Sequence, residues 1–315
     1  MKTAQTVASA EKASHTADAT HLLLSGLIDY AGLFPPAALD MAAAVTNYNA
    51  YCHSEWKWIL GSFILPASRL DEFEEALAGV RASSSETQLT TWRLSVLIGP
   101  DAQSEMEQIR AFNARWASLR QPVSVTSVEA KAANVSEIVQ LSKIVPSSFS
   151  TYIEILPSDS GECIAAIADC GRSAKIRTGG VTADKIPGSE SVIDFIRLCD
   201  AANVRFKATA GLHHPLRSVH GLTYQPDSPS ARMHGFINLF LAAAFMRSGM
   251  ESKHAVRILE EESAEAFGFD AGGINWRQHR LSQQEIAAAR HGFSISFGSC
   301  SFTEPIDDLR SLHLL

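Results

Sequence analysis

Ala174-Lys-Ile-Arg-Thr-Gly-Gly180 and Phe206-Lys-Ala-Thr-Ala-Gly-Leu-His-His214 are two segments of one build. Each runs from an apolar strand entry through a lysine and a small or hydroxyl residue into glycine. Between them, Val192, Phe195, Ile196 and Cys199 fall at i, i+3, i+4 and i+7, the core-facing stripe of a helix. Strand, helix and strand in this order make a βαβ unit, whose two strands lie parallel. Strands of a parallel sheet are normally apolar on both faces. A lysine in the matching place on two consecutive strands therefore asks for a chemical reason.

Outward from this unit the same alternation repeats. Strand candidates stand near Leu24–Tyr30, Trp58–Leu65, Leu94–Ile98, Val123–Val128, Tyr152–Leu156, Ala174–Arg177, Val204–Ala208 and Phe293–Phe297. Helical segments with start signals lie between most of them; Asn134 with Glu137, and Ser282 with Glu285, have capping-box spacing. Eight βα units imply a closed (β/α)8 barrel of the TIM type, an α/β fold. An open doubly wound sheet shows the same alternation, but the glycine pair at 179–180 lacks the spacing of a dinucleotide fingerprint. The expected organisation is a flexible lead over 1–20, then a single barrel domain over 21–315. A helical insertion at about 212–290, between strands seven and eight, is placed to cover the barrel mouth.

Composition narrows the class. Among 315 residues nearly half are apolar, and the net charge of −7 comes without any basic run, which argues against a nucleic-acid partner. No uncharged stretch approaches the roughly 20 residues of a membrane span. The five cysteines are scattered without CxxC spacing, as suits a reducing compartment, so a cytoplasmic location is expected.

Reactive side chains of a (β/α)8 barrel stand at the C-terminal ends of its strands. The polar residues at those places are Asp29, Glu129, Lys131, Glu154, Lys175, Arg177, Lys207 and Thr209, then His213 and His214, and finally Gly298-Ser-Cys-Ser301. Charges this numerous in one cavity must be paired or functional. A lysine is almost wholly protonated near neutrality, and a nearby cation or desolvation favours the neutral amine that adds to a carbonyl as a Schiff base. Lys175 and Lys207 are the candidates, with Glu129 or Glu154 to move protons; the residues do not say which lysine reacts. His213, directly after the strand-seven turn, is the histidine best placed as an acid or base. Asp29 either touches substrate or caps the segment after it, and Arg177 is suited to bidentate binding of a carboxylate or phosphate. Cys300 reads as a small buried thiol.

Three of these motifs resemble a known family. Lys175-Ile-Arg-Thr-Gly179 looks like the strand-six K-T-S-T-G of deoxyribose-phosphate aldolases, the class I aldolase barrels. Phe206-Lys-Ala-Thr-Ala-Gly-Leu212 is similar to their strand-seven motif, and Phe297-Gly-Ser-Cys-Ser301 to their strand-eight F-G-A-S-S. The resemblance implies that Lys175 is the Schiff-base lysine, that Lys207 is the cation preparing it, and that Glu129 stands for an aspartate assisting proton transfer. It further implies an anion site along the backbone of Gly179, Gly180, Gly211, Gly298 and Ser299, with Ser301; Lys131, Thr178 and Thr209 are further candidates for substrate or anion binding. Arg177, Ala210 and Cys300 depart from the pattern, as do the late insertion and the His213–His214 pair.

The expected activity is therefore that of an aldolase-like lyase acting, without a cofactor, on a small anionic carbonyl compound. Self-association is compatible with the sequence. Two other readings stay open: a metal-dependent lyase or hydrolase using His213, His214 and glutamate ligands, and a non-catalytic anion-binding barrel.

Overall fold

The computed structural model describes residues 19–83, 90–119, 122–156, 160–270 and 272–315. Almost all of the expected N-terminal lead falls outside these residues. Eight parallel strands close into a barrel: β1 (Ile28–Tyr30), β2 (Leu60–Pro66), β3 (Trp92–Leu97), β4 (Val123–Lys131), β5 (Ser150–Glu154), β6 (Ser173–Arg177), β7 (Phe206–Thr209) and, far along the chain, β13 (Ser294–Ser299). β1 closes the ring by pairing with β13 on one side and β2 on the other. Every strand expected from the sequence overlaps one of these eight.

Helices α1 (Met41–His53), α2 (Leu70–Ser83), α3 (Ala102–Ser118), α4 (Val135–Ile144), α5 (Ser160–Asp169) and α6 (Ser189–Ala201) follow the strands in turn. Their starts are set locally. Asp40 accepts from the Ala43 N–H and Asn134 from the Glu137 N–H, each satisfying a donor that the first helical turn leaves unpaired. The stripe expected on α6 is completely buried at Val192, Phe195, Ile196 and Cys199. Between the first strands and helices, Tyr48, Phe63, Phe73 and Trp92 form a contiguous aromatic layer, with ring centroids 4.7–6.1 Å apart. This outer shell carries the hydrophobic stabilisation, which releases the inner face of the barrel for polar side chains.

The stretch between β7 and β13 differs from the expected helical insertion. It opens with a hairpin of β8 (Ser218–Gly221) and β9 (Ser230–Met233). Helices α7 (Phe236–Arg247) and α8 (Ser252–Leu259) follow, then an antiparallel sheet of β10 (Phe267–Asp270), β11 (Gly273–Trp276) and β12 (His279–Ser282), and helix α9 (Gln283–Gly292). Short strands with turn residues carry no long apolar period, and so were legible only as gaps between helical segments. α7 is no lid. Phe236 through Met246 are all buried, and Phe236 and Phe240 lie 5.1 and 6.0 Å from the Phe297 ring on β13, so α7 belongs to the barrel's own outer layer. Ser282 and Glu285 form the full capping box at the start of α9. The chain ends with α10 (Thr303–Ser311). No helix among the described residues is long and apolar enough to cross a membrane.

Candidate active site

The lysines of the two opening motifs are register partners: Lys175 on β6 lies opposite Lys207 on β7. Alternation along the strands turns both inward, together with Asp29 of β1, Glu129 of β4 and Glu154 of β5. All five side chains are buried. Burial of this many charges is tolerable because they are ordered by sign.

Beginning at the mouth, Arg177 Nε donates to Glu154 Oε1 at 3.1 Å, and Glu154 Oε2 stands 3.0 Å from Lys175 Nζ. Lys175 Nζ is 2.7 Å from Glu129 Oε2. The other oxygen of Glu129 accepts from Lys207 Nζ at 2.6 Å, and Lys207 reaches Asp29 Oδ2, also at 2.6 Å. Cation and anion alternate along this chain, Arg177, Glu154, Lys175, Glu129, Lys207 and Asp29, so three positive charges meet three negative ones. Lys131 adds a looser pair to Glu154 at 3.9 Å, with most of its side chain in solvent.

Neutral groups hold the chain in place. Ser95 Oγ donates to Glu129 Oε1 at 2.7 Å, and Ser296 Oγ donates to Asp29 Oδ2 at 2.7 Å. The Ser62 backbone N–H donates to Asp29 Oδ1 at 2.6 Å, and Lys207 Nζ lies 5.1 Å from the centre of the Tyr152 ring. Burial alone would raise the Glu129 carboxyl, but Lys175 and Lys207 outweigh it and hold Glu129 well below the usual carboxylate range. Glu154 is lowered in the same way: burial acts upward, and Lys175 and then Arg177 act more strongly downward. Burial acts to discharge Lys207; Asp29 and Glu129 overcome it and raise its affinity for the proton.

The lysines differ in what else they border. Lys175, with Glu129, Lys131 and Glu154, lines a cavity of about 660 Å³, whereas Lys207 does not reach it. Glu154 Oε2 is buried, and among the described residues Lys175 Nζ, at 3.0 Å, is the group that pairs with it. A carboxylate oxygen held by one ammonium beside a cavity keeps capacity to accept a further donor from a bound molecule.

Sequence comparison matches this chain to no family model and to no curated protein. Its chemistry is read from these side chains alone.

The glycine motifs occupy the neighbouring part of the mouth. Ala210 and Gly211 follow β7 with φ of 64° and 76°, so the alanine takes the left-handed conformation that a glycine adopts freely. A Cβ on Gly179 would stand 2.7 Å from Gly211 Cα, and Thr178 Oγ1 donates to Ala210 O at 2.7 Å. These contacts lock the turn after β6 against the turn after β7. Thr209 pairs in register with both Arg177 and Gly298. Ser299 is buried, its carbonyl accepting from the Ala31 N–H at 2.7 Å, and Ser301 Oγ accepts from the Glu304 N–H at 3.1 Å as α10 begins. Gly180 and Gly211 line a second cavity of only about 30 Å³, together with His213, His214, Tyr224 and Glu304.

His213 and His214 line that second cavity, apart from the one bordered by Lys175. His213 Nδ1 is 3.0 Å from Glu304 Oε2, and His214 Nδ1 is 2.6 Å from Asp308 Oδ2. His220 stacks on His214, and His234 Nε2 bonds to the Pro187 carbonyl at 2.8 Å. No group of three or more metal-ligating side chains converges among the described residues. Burial raises the Cys300 thiol, whose Sγ lies 3.6 Å from the Tyr224 hydroxyl.

Sequence reading missed Ser95, Ser296 and Tyr152, because it collected polar residues at strand ends and these lie within strands. A serine on the inward alternation of an otherwise apolar strand was the available signal.

Proposed function

We propose that the protein is an enzyme that binds a small carbonyl compound as a Schiff base on Lys175 and makes or breaks the adjacent carbon–carbon bond, as a class I aldolase does. One observation carries this reading: of two buried, register-matched lysines, Lys175 alone borders the large cavity, between two carboxylates able to exchange protons with it.

The Lys175 amine nitrogen adds to the substrate carbonyl carbon, and the carbonyl oxygen takes up a proton to give a carbinolamine. Loss of water then leaves an iminium; when the neighbouring C–C bond breaks, its electron pair passes into the iminium to give an enamine, and the departing carbon leaves as a carbonyl as its hydroxyl gives its proton to the carboxylate. A carboxylate must accept the ammonium proton before addition and return one to the departing oxygen. Glu129, pinned between two ammonium groups and Ser95, is a weak base, so Glu154 takes this part through Oε2, which lies 3.0 Å from Lys175 Nζ beside the cavity.

Arg177 tunes that step. It pairs with Glu154 while 40% of its side chain stays exposed, so an anionic group on the substrate competes with Glu154 for the guanidinium. An anion brought beside Glu154 raises its proton affinity, making it a better base at the moment substrate is bound. Lys131 offers a second cation to the same anion. Lys207 acts on the reaction through Glu129, taking up one of its oxygens and leaving the other for Lys175.

Borohydride reduction in the presence of pyruvate, glycolaldehyde and larger aldehydes, followed by intact mass, tests the reading. One reduced adduct per chain is expected with at least one class of carbonyl. Unmodified protein with every carbonyl sinks it.

A further inference from the structure

The cavity beside Lys175 extends well beyond the reacting amine. From the barrel mouth it continues over the end of β4 to the cleft between α3 and α4, where Ile98, Pro100, Leu141 and Ile144 form its walls. At about 660 Å³ it lies within the range of roughly 300–1,000 Å³ typical of small-molecule pockets, so a two- or three-carbon compound would leave most of it unfilled.

Charge in the outer part of the cavity selects further. Its ionic groups there are Lys131, Glu105 and Glu137. Glu105 accepts from the Gly99 N–H at 2.6 Å and Glu137 from the Ala133 N–H at 2.8 Å, which fixes both carboxylates at the wall. Two anions against one cation oppose a second anionic group on the substrate, such as a terminal phosphate. The rim points the same way. Val135 at the start of α4, Leu156 after β5 and Val181 after β6 keep 38%, 61% and 43% of their surface exposed, three apolar side chains following successive strands on one side of the barrel.

We propose that the substrate is a carbonyl acid with an alkyl arm, its carbonyl at Lys175, its carboxylate between Arg177 and Lys131, and its arm in the cleft between α3 and α4. This rests on the Schiff-base reading of Lys175 and adds the part of the substrate that does not react.

Trapping with borohydride across the 2-oxo acids from pyruvate to 2-oxooctanoate tests it, with the half-saturating concentration read by intact mass. Each methylene that enters the cleft is expected to lower that concentration about fourfold. Adducts throughout the series with equal half-saturation overturn the alkyl arm and leave the Lys175 chemistry standing. The alkanoates from acetate to octanoate have no carbonyl, and their thermal stabilisation of the protein reads the cleft without the reaction. Stabilisation that rises with alkanoate length, with no adduct from any oxo acid, keeps the arm and overturns the Schiff base.

Two variants locate the arm. Leu141→Asn in the cleft wall is expected to flatten the dependence on chain length. Leu156→Ser on the exposed rim, where folding is not at stake, is expected to diminish the gain for the longest acids. A length dependence unchanged in both overturns this placement.

Discussion

The two halves of the barrel mouth are built on the same motif and differ in what surrounds it. On the side of β4, β5 and β6, Lys175 lies between Glu129 and Glu154 and borders an open cavity. On the side of β7 and β13, Lys207 is sealed between Asp29 and Glu129, and the turns above it are filled by His213, His214, Tyr224 and Glu304. Register gives the two lysines equivalent positions, and their neighbours set them apart. Lys207 is enclosed by two carboxylates, whereas Lys175 has open space beside it.

Replacing each lysine in turn breaks the comparison most directly. Lys175→Ala is expected to abolish borohydride-trapped adduct completely, as read by intact mass, whereas a conservative change that keeps Lys175 keeps the adduct. Lys207→Met is expected to destabilise the fold by about 3–5 kcal/mol in denaturant titration, because it strands Asp29 and leaves Glu129 with a single cation. Lys175→Met costs less on the same measurement, since Glu129 retains Lys207 and Glu154 retains Arg177. Equal losses from the two would erase the distinction.

Acid sharpens it. The Glu129 carboxyl is depressed in the folded state, so the stability it contributes is fully present above its unfolded pKa of about 4.3. That contribution is lost as the pH falls from there toward the depressed folded value, because the unfolded chain then binds more protons. Glu129→Gln removes this titration, and its stability is expected to fall less steeply than wild type below about pH 4, measured by melting temperature against pH. The smallest effect belongs to the filled half. Tyr224→Phe removes one hydrogen bond to Glu304 from a half-exposed ring and is expected to cost about 0.5–1 kcal/mol, with adduct formation unchanged.

Much of this was legible in the residues. Parallel strands must alternate with helices and are strongly apolar, so all eight barrel strands stood out, and the lysines stood out against them. Asp29, Glu129, Glu154, Lys175, Arg177 and Lys207 were found as strand-end residues and do form one ionic chain. Sequence did not reveal the pairing, because strand number says that Glu129 and Lys207 face one interior but not that Glu129 stands between the lysines. The β8–β9 hairpin and the β10–β12 sheet were hidden for another reason: strands of four residues leave no period to read. His213 looked close to the lysines because it follows β7 by four residues, yet the tight turn at Ala210 and Gly211 carries it to Glu304. The wide cavity was invisible because its walls, Leu141 and Ile144, look like any core-facing helical stripe.

The division of labour between the two lysines can be read in one experiment. After trapping with a carbonyl that gives an adduct, proteolysis and peptide mass mapping locate the modified side chain. The proposed Schiff-base chemistry predicts a single reduced adduct on Lys175, with Lys207 unmodified. An adduct on Lys207, or one shared between the two, would contradict it.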